Sequence, residues 1–290
     1  MPRRGRLRAC TALLVLALEL LGGAGAAPAW QRVTGLGRQR PSRLHGGEAA
    51  GVPRGRLVEA SMPGSKGRGG GKGLKYNIFL PEREAGAPPA PVIVFLHGQG
   101  ESGDDPTVMR AQSLPKRLDD DRGFEFAVIA PQCPTECLFT QWSAAVFAEV
   151  VRLLKWAIAE HSLDPKRVYL AGQSMGGAGA WQLASMHPQL FAAVVPICGY
   201  YNGDRSKVAA ALRGTPVWAF HSIDDVVIDV GATDDMVAKL REEGNTRVKY
   251  TRYETAPAPP GYPQMKGHNA YDLAFADTEL YIWLLKQQLP

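Results

Sequence analysis

Short apolar runs alternate along this chain with segments whose apolar residues recur at helical spacing. The runs typical of buried strands lie at 91–96, 168–171, 193–197, 216–220 and 247–253. Helical spacing is found at Val146, Val150, Leu153, Leu154, Ala157 and Ile158, at about 178–186 and at 280–285. Strands and helices that alternate in this order predict an α/β fold, with a mostly parallel central sheet and helices on both faces.

One of these strands runs directly into a turn of the form Gly-x-Ser-x-Gly. Ser174 lies at the centre of this turn, flanked by Gly172 and Gly176, and a helical segment follows. A sharp strand-to-helix turn holds a serine oxygen clear of the backbone, and glycines leave room for it. The start of the helix also faces the negative charge that develops during attack. The pattern therefore predicts Ser174 as a nucleophile.

Partners for this serine are expected further along the chain, in the order serine, acid, histidine. Asp224 and Asp225 follow the strand at 216–220, and His268 follows the strand at 247–253. Either carboxylate could orient the histidine, and the other would be a loop or capping residue. Only 51 positions separate Ser174 from Asp225, which leaves no room for a large cap domain.

A glycine-rich loop follows the strand at 91–96. Its backbone amides are able to face a ligand, and we assign the N–H groups of Gln99 and Met175 to an oxyanion hole. His97, at the start of the loop, is expected to brace it through hydrogen bonds rather than to react.

Two aromatic residues, Phe139 and Trp142, follow Cys137 and are candidates for the wall of a substrate pocket. The alternative is that the pair only packs at the start of a helix. A proline-rich stretch at 256–263 is expected at the pocket rim.

The chain resembles the small α/β-hydrolases of the carboxylesterase, phospholipase and predicted-peptidase kind, which are related to feruloyl esterases and polyhydroxybutyrate depolymerases. The segments that carry the resemblance are 74–81, 96–100, 130–134, 172–177, 195–199, 267–269 and 277–285. The resemblance implies the α/β-hydrolase fold. The family pattern His-Gly-x-x-Asp-x-x-Val places His221 at its histidine and selects Asp225 as the acid. The chain departs from that pattern at Ser222, where the family has glycine, and at Asp229, where proline is common.

These residues together predict a serine ester hydrolase that acts through an acyl-enzyme on a small-molecule or polymer ester. A serine peptidase or thioesterase of the same fold is the alternative, and a non-catalytic binding protein on this fold is a third hypothesis. No cofactor is expected. The cysteine spacing supplies too few ligands for zinc, so no metal site is expected either.

The N-terminal residues differ in composition from the rest of the chain. Four arginines between residues 3 and 8 precede an apolar run at 12–21, and small residues follow, which predicts a signal peptide over residues 1–27. The run is too short to span a bilayer comfortably, so no stable membrane insertion is expected after cleavage; a retained anchor is the alternative. The protein is then secreted, or reaches an organelle through the secretory route.

Residues 28–72 are rich in Gly, Pro and Arg, and they predict a disordered linker or pro-segment before a catalytic domain at 73–290. Residues 1–72 carry 13 Lys and Arg against 3 Asp and Glu, whereas residues 73–290 carry 20 against 25. The basic character therefore belongs to the N-terminal part, and no nucleic-acid binding by the fold is expected. A second targeting signal is the alternative function of the basic segment.

Cysteine usage fits an oxidising compartment without requiring one. Cys10 lies in the signal peptide, and Cys198 ends a buried strand, where an inert thiol is expected. Cys133 and Cys137 lie in one loop and could pair in an oxidising lumen.

Overall fold

The computed structural model describes residues 52–62, 73–119 and 121–290. The predicted signal peptide and the predicted linker up to residue 51 lie outside these residues.

A single sheet of eight strands forms the centre of the described chain. The strands are β1 Leu57–Ser61, β2 Lys75–Phe79, β3 Val92–Leu96, β4 Ala127–Pro131, β5 Val168–Gln173, β6 Ala193–Ile197, β7 Val217–Ser222 and β8 Val248–Tyr253. Their order across the sheet is β1-β2-β4-β3-β5-β6-β7-β8. Strands β3 to β8 are parallel, while β1 and β2 are antiparallel to their neighbours. The predicted fold class, a mostly parallel sheet of the α/β-hydrolase type, is confirmed.

Helices cover both faces of this sheet. They are α1 Ser113–Leu118, α2 Cys137–Thr140, α3 Ala144–His161, α4 Met175–Met186, α5 Arg205–Ala211, α6 Gly231–Glu242, α7 Ala270–Ala276 and α8 Thr278–Leu285. Short 3₁₀ turns occur at Gln99–Glu101 and Pro106–Ala111. Helices α3 to α6 share one core with Val92, Val94 and Leu96 of β3. Helices α1, α7 and α8 pack on the other face, with Ile93 and Phe95.

The alternating direction of the side chains along β3 explains why its sequence is apolar throughout. Successive side chains of a strand point to opposite faces, and here each face is covered by helices. All five residues of β3 are buried. Between Ser174 and Asp225 the chain forms only α4, β6, α5 and β7, so no cap domain lies in that interval.

The prediction of a linker is wrong for residues 52–62, which belong to the folded domain. Strand β1 pairs along its whole length with β2, and Leu57, Val58 and Met62 are buried. Gly55 N–H donates to the Leu80 carbonyl at 2.8 Å, which fixes the approach to the strand. An antiparallel edge strand of five residues gains its stability from a neighbour and not from its own sequence, so composition alone favoured a linker.

A protein that begins at Gly73 is therefore expected to be less stable than one that begins at Val52. It loses the burial of Leu57, Val58 and Met62, each worth about 1.5–3 kcal/mol, and it exposes the edge of β2. Thermal unfolding of the two proteins measures the difference. Equal Tm values for the two would contradict the assignment of residues 52–62 to the domain.

No helix in the described ranges is both long and apolar enough to cross a membrane.

Candidate active site

Ser174 lies between β5 and α4 in a backbone conformation that side chains rarely adopt. Its φ is 53° and its ψ is −119°. The neighbouring glycines explain how the chain can turn so sharply. A Cβ on Gly172 would lie 2.1 Å from the Gly176 carbonyl oxygen, and a Cβ on Gly176 would lie 2.0 Å from the Leu96 carbonyl oxygen. Packed backbone thus holds the strained serine in place.

The structure brings Ser174, His268 and Asp225 into one hydrogen-bonded row. His268 Nε2 lies 2.9 Å from Ser174 Oγ, and His268 Nδ1 lies 2.9 Å from Asp225 Oδ2. The three residues follow β5, β8 and β7, whose carboxyl ends share one edge of the sheet. In this arrangement the histidine can accept the serine proton while the carboxylate fixes its tautomer.

Asp225 is held as a carboxylate by four hydrogen-bond partners. Its Oδ1 accepts from the N–H groups of Val227 and Ile228, at 2.8 and 3.0 Å. Its Oδ2 faces both His268 and the buried His221, whose Nε2 lies 3.2 Å away. Burial raises the pKa of this carboxyl, but the hydrogen bonds from the two histidines outweigh it and hold the pKa well below its usual range.

Asp224 points away from the histidine and secures the loop instead. Its Oδ1 accepts from the Ser222 hydroxyl and from the Ala256 N–H, and Lys266 Nζ lies 3.7 Å from Oδ2. The hydroxyl at position 222, where the resemblance led us to expect glycine, therefore fixes Asp224. Asp229, the second departure, accepts from the Gly231 N–H at the start of α6.

The two predicted oxyanion donors both occupy the first position of a helical turn. Gln99 begins the 3₁₀ turn after Gly98, and Met175 begins α4 after Ser174. N–H groups at this position have no acceptor within their own helix, so they remain available to a ligand. Gly98 lies against Ser174, because a Cβ built on it would be 3.6 Å from Ser174 Cβ.

His97 is fully buried and braces the loop. Its Nδ1 lies 2.6 Å from the Gly98 carbonyl oxygen, and its Nε2 lies 2.8 Å from the Cys133 nitrogen, which donates to it. Burial lowers the pKa of this imidazole to about 4, although the contact with the Gly98 carbonyl opposes the shift. A neutral ring that accepts from Cys133 suits the structural role.

Glu101 is a buried residue of this loop that the sequence did not single out. Its Oε2 accepts from the Gly98 N–H at 2.8 Å and from Gln173 Nε2 at 3.1 Å. Burial raises its pKa to about 8, against the lowering effect of these hydrogen bonds. The only sequence signal was an acidic residue inside a glycine-rich loop, which usually indicates a solvated position.

Cys133 and Cys137 form a disulfide that closes a loop next to the predicted oxyanion hole. The side chain of Gln99 donates to the Leu138 carbonyl at 2.7 Å, and Trp142 Nε1 donates to the His97 carbonyl at 3.2 Å. The disulfide loop and the glycine-rich loop thus support each other.

Reduction of this disulfide is expected to lower both stability and turnover. A bond of this kind typically contributes about 2–4 kcal/mol, with short loops at the lower end. Thermal unfolding and ester hydrolysis with and without dithiothreitol measure the effect, and Cys133→Ser/Cys137→Ser is the control that should not respond to the reductant. An unchanged Tm and kcat of the wild-type protein after reduction would contradict the expectation.

A cavity of about 240 Å³ lies beside Met175, the residue that follows Ser174. Its lining includes Trp142 and Met175, together with the polar side chains of Gln141, Gln182, Tyr201 and Asn202. Within the described ranges, no formally charged side chain lines it. Trp142 thus lies in the cavity wall, whereas Phe139 is 69% exposed and outside that lining.

Cys198 Sγ lies close to Asp225 and His268, and the ligand atoms of the three residues are within 4.8 Å of one another. The thiol lies 3.5 Å from the His268 carbonyl oxygen, to which it donates, and burial raises its pKa well above the usual value. A protonated thiol is a poor metal ligand, since metals bind the thiolate. These residues could hold a metal only at the expense of the hydrogen bonds that join Asp225 to His268.

Comparison with known proteins identifies related sequences. A sequence model of the esterase PHB depolymerase family matches residues 74–240. A bifunctional acetylxylan esterase/xylanase of Neocallimastix patriciarum is 26% identical over 228 residues, which cover 75% of this chain and 31% of that protein. A feruloyl esterase B of Neurospora crassa is 26% identical over 152 residues, which cover 49% of this chain and 50% of that protein. The chain thus spans half or less of the length of these curated relatives.

Solved structures agree on the fold. A thermostable esterase is 30% identical with a TM-score of 0.63, over 80% of this chain and 63% of that chain. A protein of Klebsiella pneumoniae is 21% identical with a TM-score of 0.58, over 79% of this chain and 98% of that chain.

Proposed function

Because the chain belongs to the esterase PHB depolymerase family, we propose that it is a carboxylic ester hydrolase whose nucleophile is Ser174. The observation that carries this proposal is the continuous row from Ser174 Oγ through the His268 ring to Asp225, with 2.9 Å at each step. A serine, a histidine and a carboxylate in this order activate a hydroxyl for acyl transfer.

The reaction follows from these contacts. His268 Nε2 accepts the Ser174 proton as Oγ attacks the ester carbonyl carbon, and the carbonyl oxygen becomes negatively charged. The N–H groups of Gln99 and Met175 bind that oxygen. His268 then gives its proton to the leaving alcohol, which departs and leaves an acyl-enzyme.

Deacylation repeats the sequence with water in place of the serine. His268 removes a proton from water, the resulting hydroxide attacks the acyl carbonyl, and the acid is released as Ser174 recovers its proton. Asp225 keeps His268 in the tautomer that presents Nε2 to the serine in both halves of the reaction, and it stabilises the imidazolium.

The substrate class that suits the site is a neutral small-molecule or polymer ester. The cavity beside Met175 is lined by aromatic and amide side chains without formal charge, so a charged substituent would lose part of its hydration there without gaining an opposite charge. A serine peptidase or thioesterase uses the same residues and remains the alternative.

A substrate panel tests the proposal and the alternative together. Nitrophenyl esters of rising acyl length, a feruloyl ester, an acetylated xylan, an acyl thioester and a peptide nitroanilide are offered to the purified protein. We expect hydrolysis of the oxygen esters with little activity on the anilide. Faster cleavage of the anilide or thioester, or no cleavage of any oxygen ester, would overturn the proposal.

For the rest of the chain we propose a signal peptide at 1–27, linker segments at 28–51 and 63–72, and a catalytic domain that contains 52–62 and 73–290. The protein would then be secreted, or reach an organelle through the secretory route, without stable membrane insertion and without nucleic-acid partners. Fractionation and N-terminal sequencing of the mature protein test this. A mature N-terminus at Met1 in the cytosol would contradict it.

A further inference from the structure

We infer that Glu101 is a positioning residue that holds together the two backbone segments of the proposed oxyanion hole, the loop after β3 and the turn after β5. This inference rests on the proposed function. One carboxyl oxygen, Oε2, binds both segments. It accepts from the Gly98 N–H, directly before the donor Gln99, and from Gln173 Nε2, directly before the nucleophile.

The two segments meet at this oxygen. A Cβ built on Gly98 would lie 3.4 Å from Glu101 Oε2, 3.6 Å from Ser174 Cβ and 3.7 Å from Gln173 Nε2. The loop after β3 and the turn after β5 therefore touch each other at the point where Glu101 bridges them. Movement of either segment changes the distance between the Gln99 and Met175 N–H groups.

A third segment, after β4, holds the backbone of Glu101. Gln132, directly after β4, donates its Nε2 to the Glu101 carbonyl at 3.0 Å and to the Asp105 carbonyl at 2.9 Å. Only 5% of Glu101 is exposed, so its bridging contacts are held inside the protein without help from a substrate.

A capping role alone does not account for these contacts. An acidic residue at the third position of a helical turn often accepts from the N–H that precedes the turn, as Glu101 does with Gly98. The contact with Gln173 lies outside that motif and belongs to a different strand. Burial favours a neutral carboxylic acid at neutral pH, so glutamine is the closest substitute in charge and shape.

Loss of this acceptor is expected to weaken stabilisation of the transition state more than binding of the substrate. Glu101→Met fills the space but leaves the Gly98 N–H without a partner, so the Gln99 N–H is no longer aimed at the oxyanion. Removal of an oxyanion donor lowers kcat by about 10²–10³, and for a displaced donor we expect a loss of about 10–100-fold with KM changed by less than about threefold. Glu101→Gln keeps an acceptor and should stay within about threefold of the wild-type kcat.

The experiment measures kcat, KM and Tm with a nitrophenyl ester for the wild-type protein, Glu101→Met and Glu101→Gln. Asn77→Ala is the matched control, because buried Asn77 donates to the Pro106 carbonyl at 2.8 Å and so supports the neighbouring 3₁₀ turn at Pro106–Ala111. It should lower Tm while kcat stays near the wild-type value. Glu101→Asp replaces Glu101→Met if the latter does not fold, since its carboxyl is one methylene too short for the bridge and the same loss of kcat is expected.

The outcomes are distinct. A low kcat with unchanged KM for Glu101→Met or Glu101→Asp, restored in Glu101→Gln and absent in Asn77→Ala, supports the positioning role. A wild-type kcat in Glu101→Met, a loss that falls on KM, or an equal loss of kcat in Asn77→Ala overturns it. A wild-type protein that hydrolyses no ester would instead refute the proposed function.

Discussion

Replacement of Ser174 by alanine is expected to lower kcat for ester hydrolysis by about 10⁴–10⁶ without unfolding the protein. The variant loses the hydroxyl that lies 2.9 Å from His268 Nε2, and water in its place attacks far more slowly. The fold should persist because packed glycines set the conformation of the turn, and the Ser174 hydroxyl makes no contact needed for it. Initial rates with a nitrophenyl ester and thermal unfolding measure both effects.

Ser185→Ala is the matched control for this variant. Ser185 lies on α4, and its hydroxyl donates to the Gln182 carbonyl at 2.8 Å, away from the histidine. It should keep the wild-type kcat. More than a tenth of the activity left in Ser174→Ala, at an unchanged Tm, would refute Ser174 as the nucleophile.

Asp225→Asn is expected to reduce turnover by about 10⁴, whereas Asp224→Asn should change it by less than about tenfold. An amide at position 225 can offer its NH₂ to His268 Nδ1, which favours the tautomer that carries its proton on Nε2 and is unable to accept one from Ser174. An amide at position 224 keeps an oxygen for the Ala256 N–H and loses only the charge near the exposed Lys266.

The comparison of the two aspartates is made at neutral pH, with Tm recorded for each variant. Asp225→Asn retains a carbonyl oxygen for the N–H groups of Val227 and Ile228, so the loop should remain folded. A larger loss of kcat in Asp224→Asn than in Asp225→Asn would contradict the assigned roles.

The sequence predicted the parallel part of the sheet well, because buried parallel strands are continuous apolar runs. Strands β3, β5, β6, β7 and β8 begin and end within two residues of the predicted runs. Helix α4 begins at Met175 and not near residue 178, since tertiary packing overrides the low helix propensity of Gly176 and Gly177. Strands β2 and β4 were not predicted as strands, although segments 74–81 and 130–134, which overlap them, carry the family resemblance.

Features that depend on contacts between distant segments were harder to predict from the sequence. β1 was missed because its stability comes from pairing with β2. Neighbouring Asp224 and Asp225 are indistinguishable by spacing, and the structure separates them through their contacts with Ala256 and His268. Glu101 looked like a solvated loop residue because Gly98 and Gln173, which it binds, come together only in the fold.

The pocket residues illustrate the same difficulty. Trp142 and Phe139 lie three positions apart, yet the first is buried with its indole N–H on the His97 carbonyl and the second is largely exposed. A role for Phe139 in binding substrate remains a prediction. Kinetics of Phe139→Ala with esters of different acyl length would test it.

Covalent labelling with a fluorophosphonate tests the central claim most directly, because the reagent modifies only a serine whose hydroxyl is activated. The labelled protein is digested and the modified peptide is identified by mass spectrometry, with Ser174→Ala treated in parallel. We predict a single modification per chain, on Ser174, that abolishes ester hydrolysis and is absent from the variant. An unmodified protein, or a label on another residue that persists in Ser174→Ala, would contradict the assignment of Ser174 as the activated nucleophile.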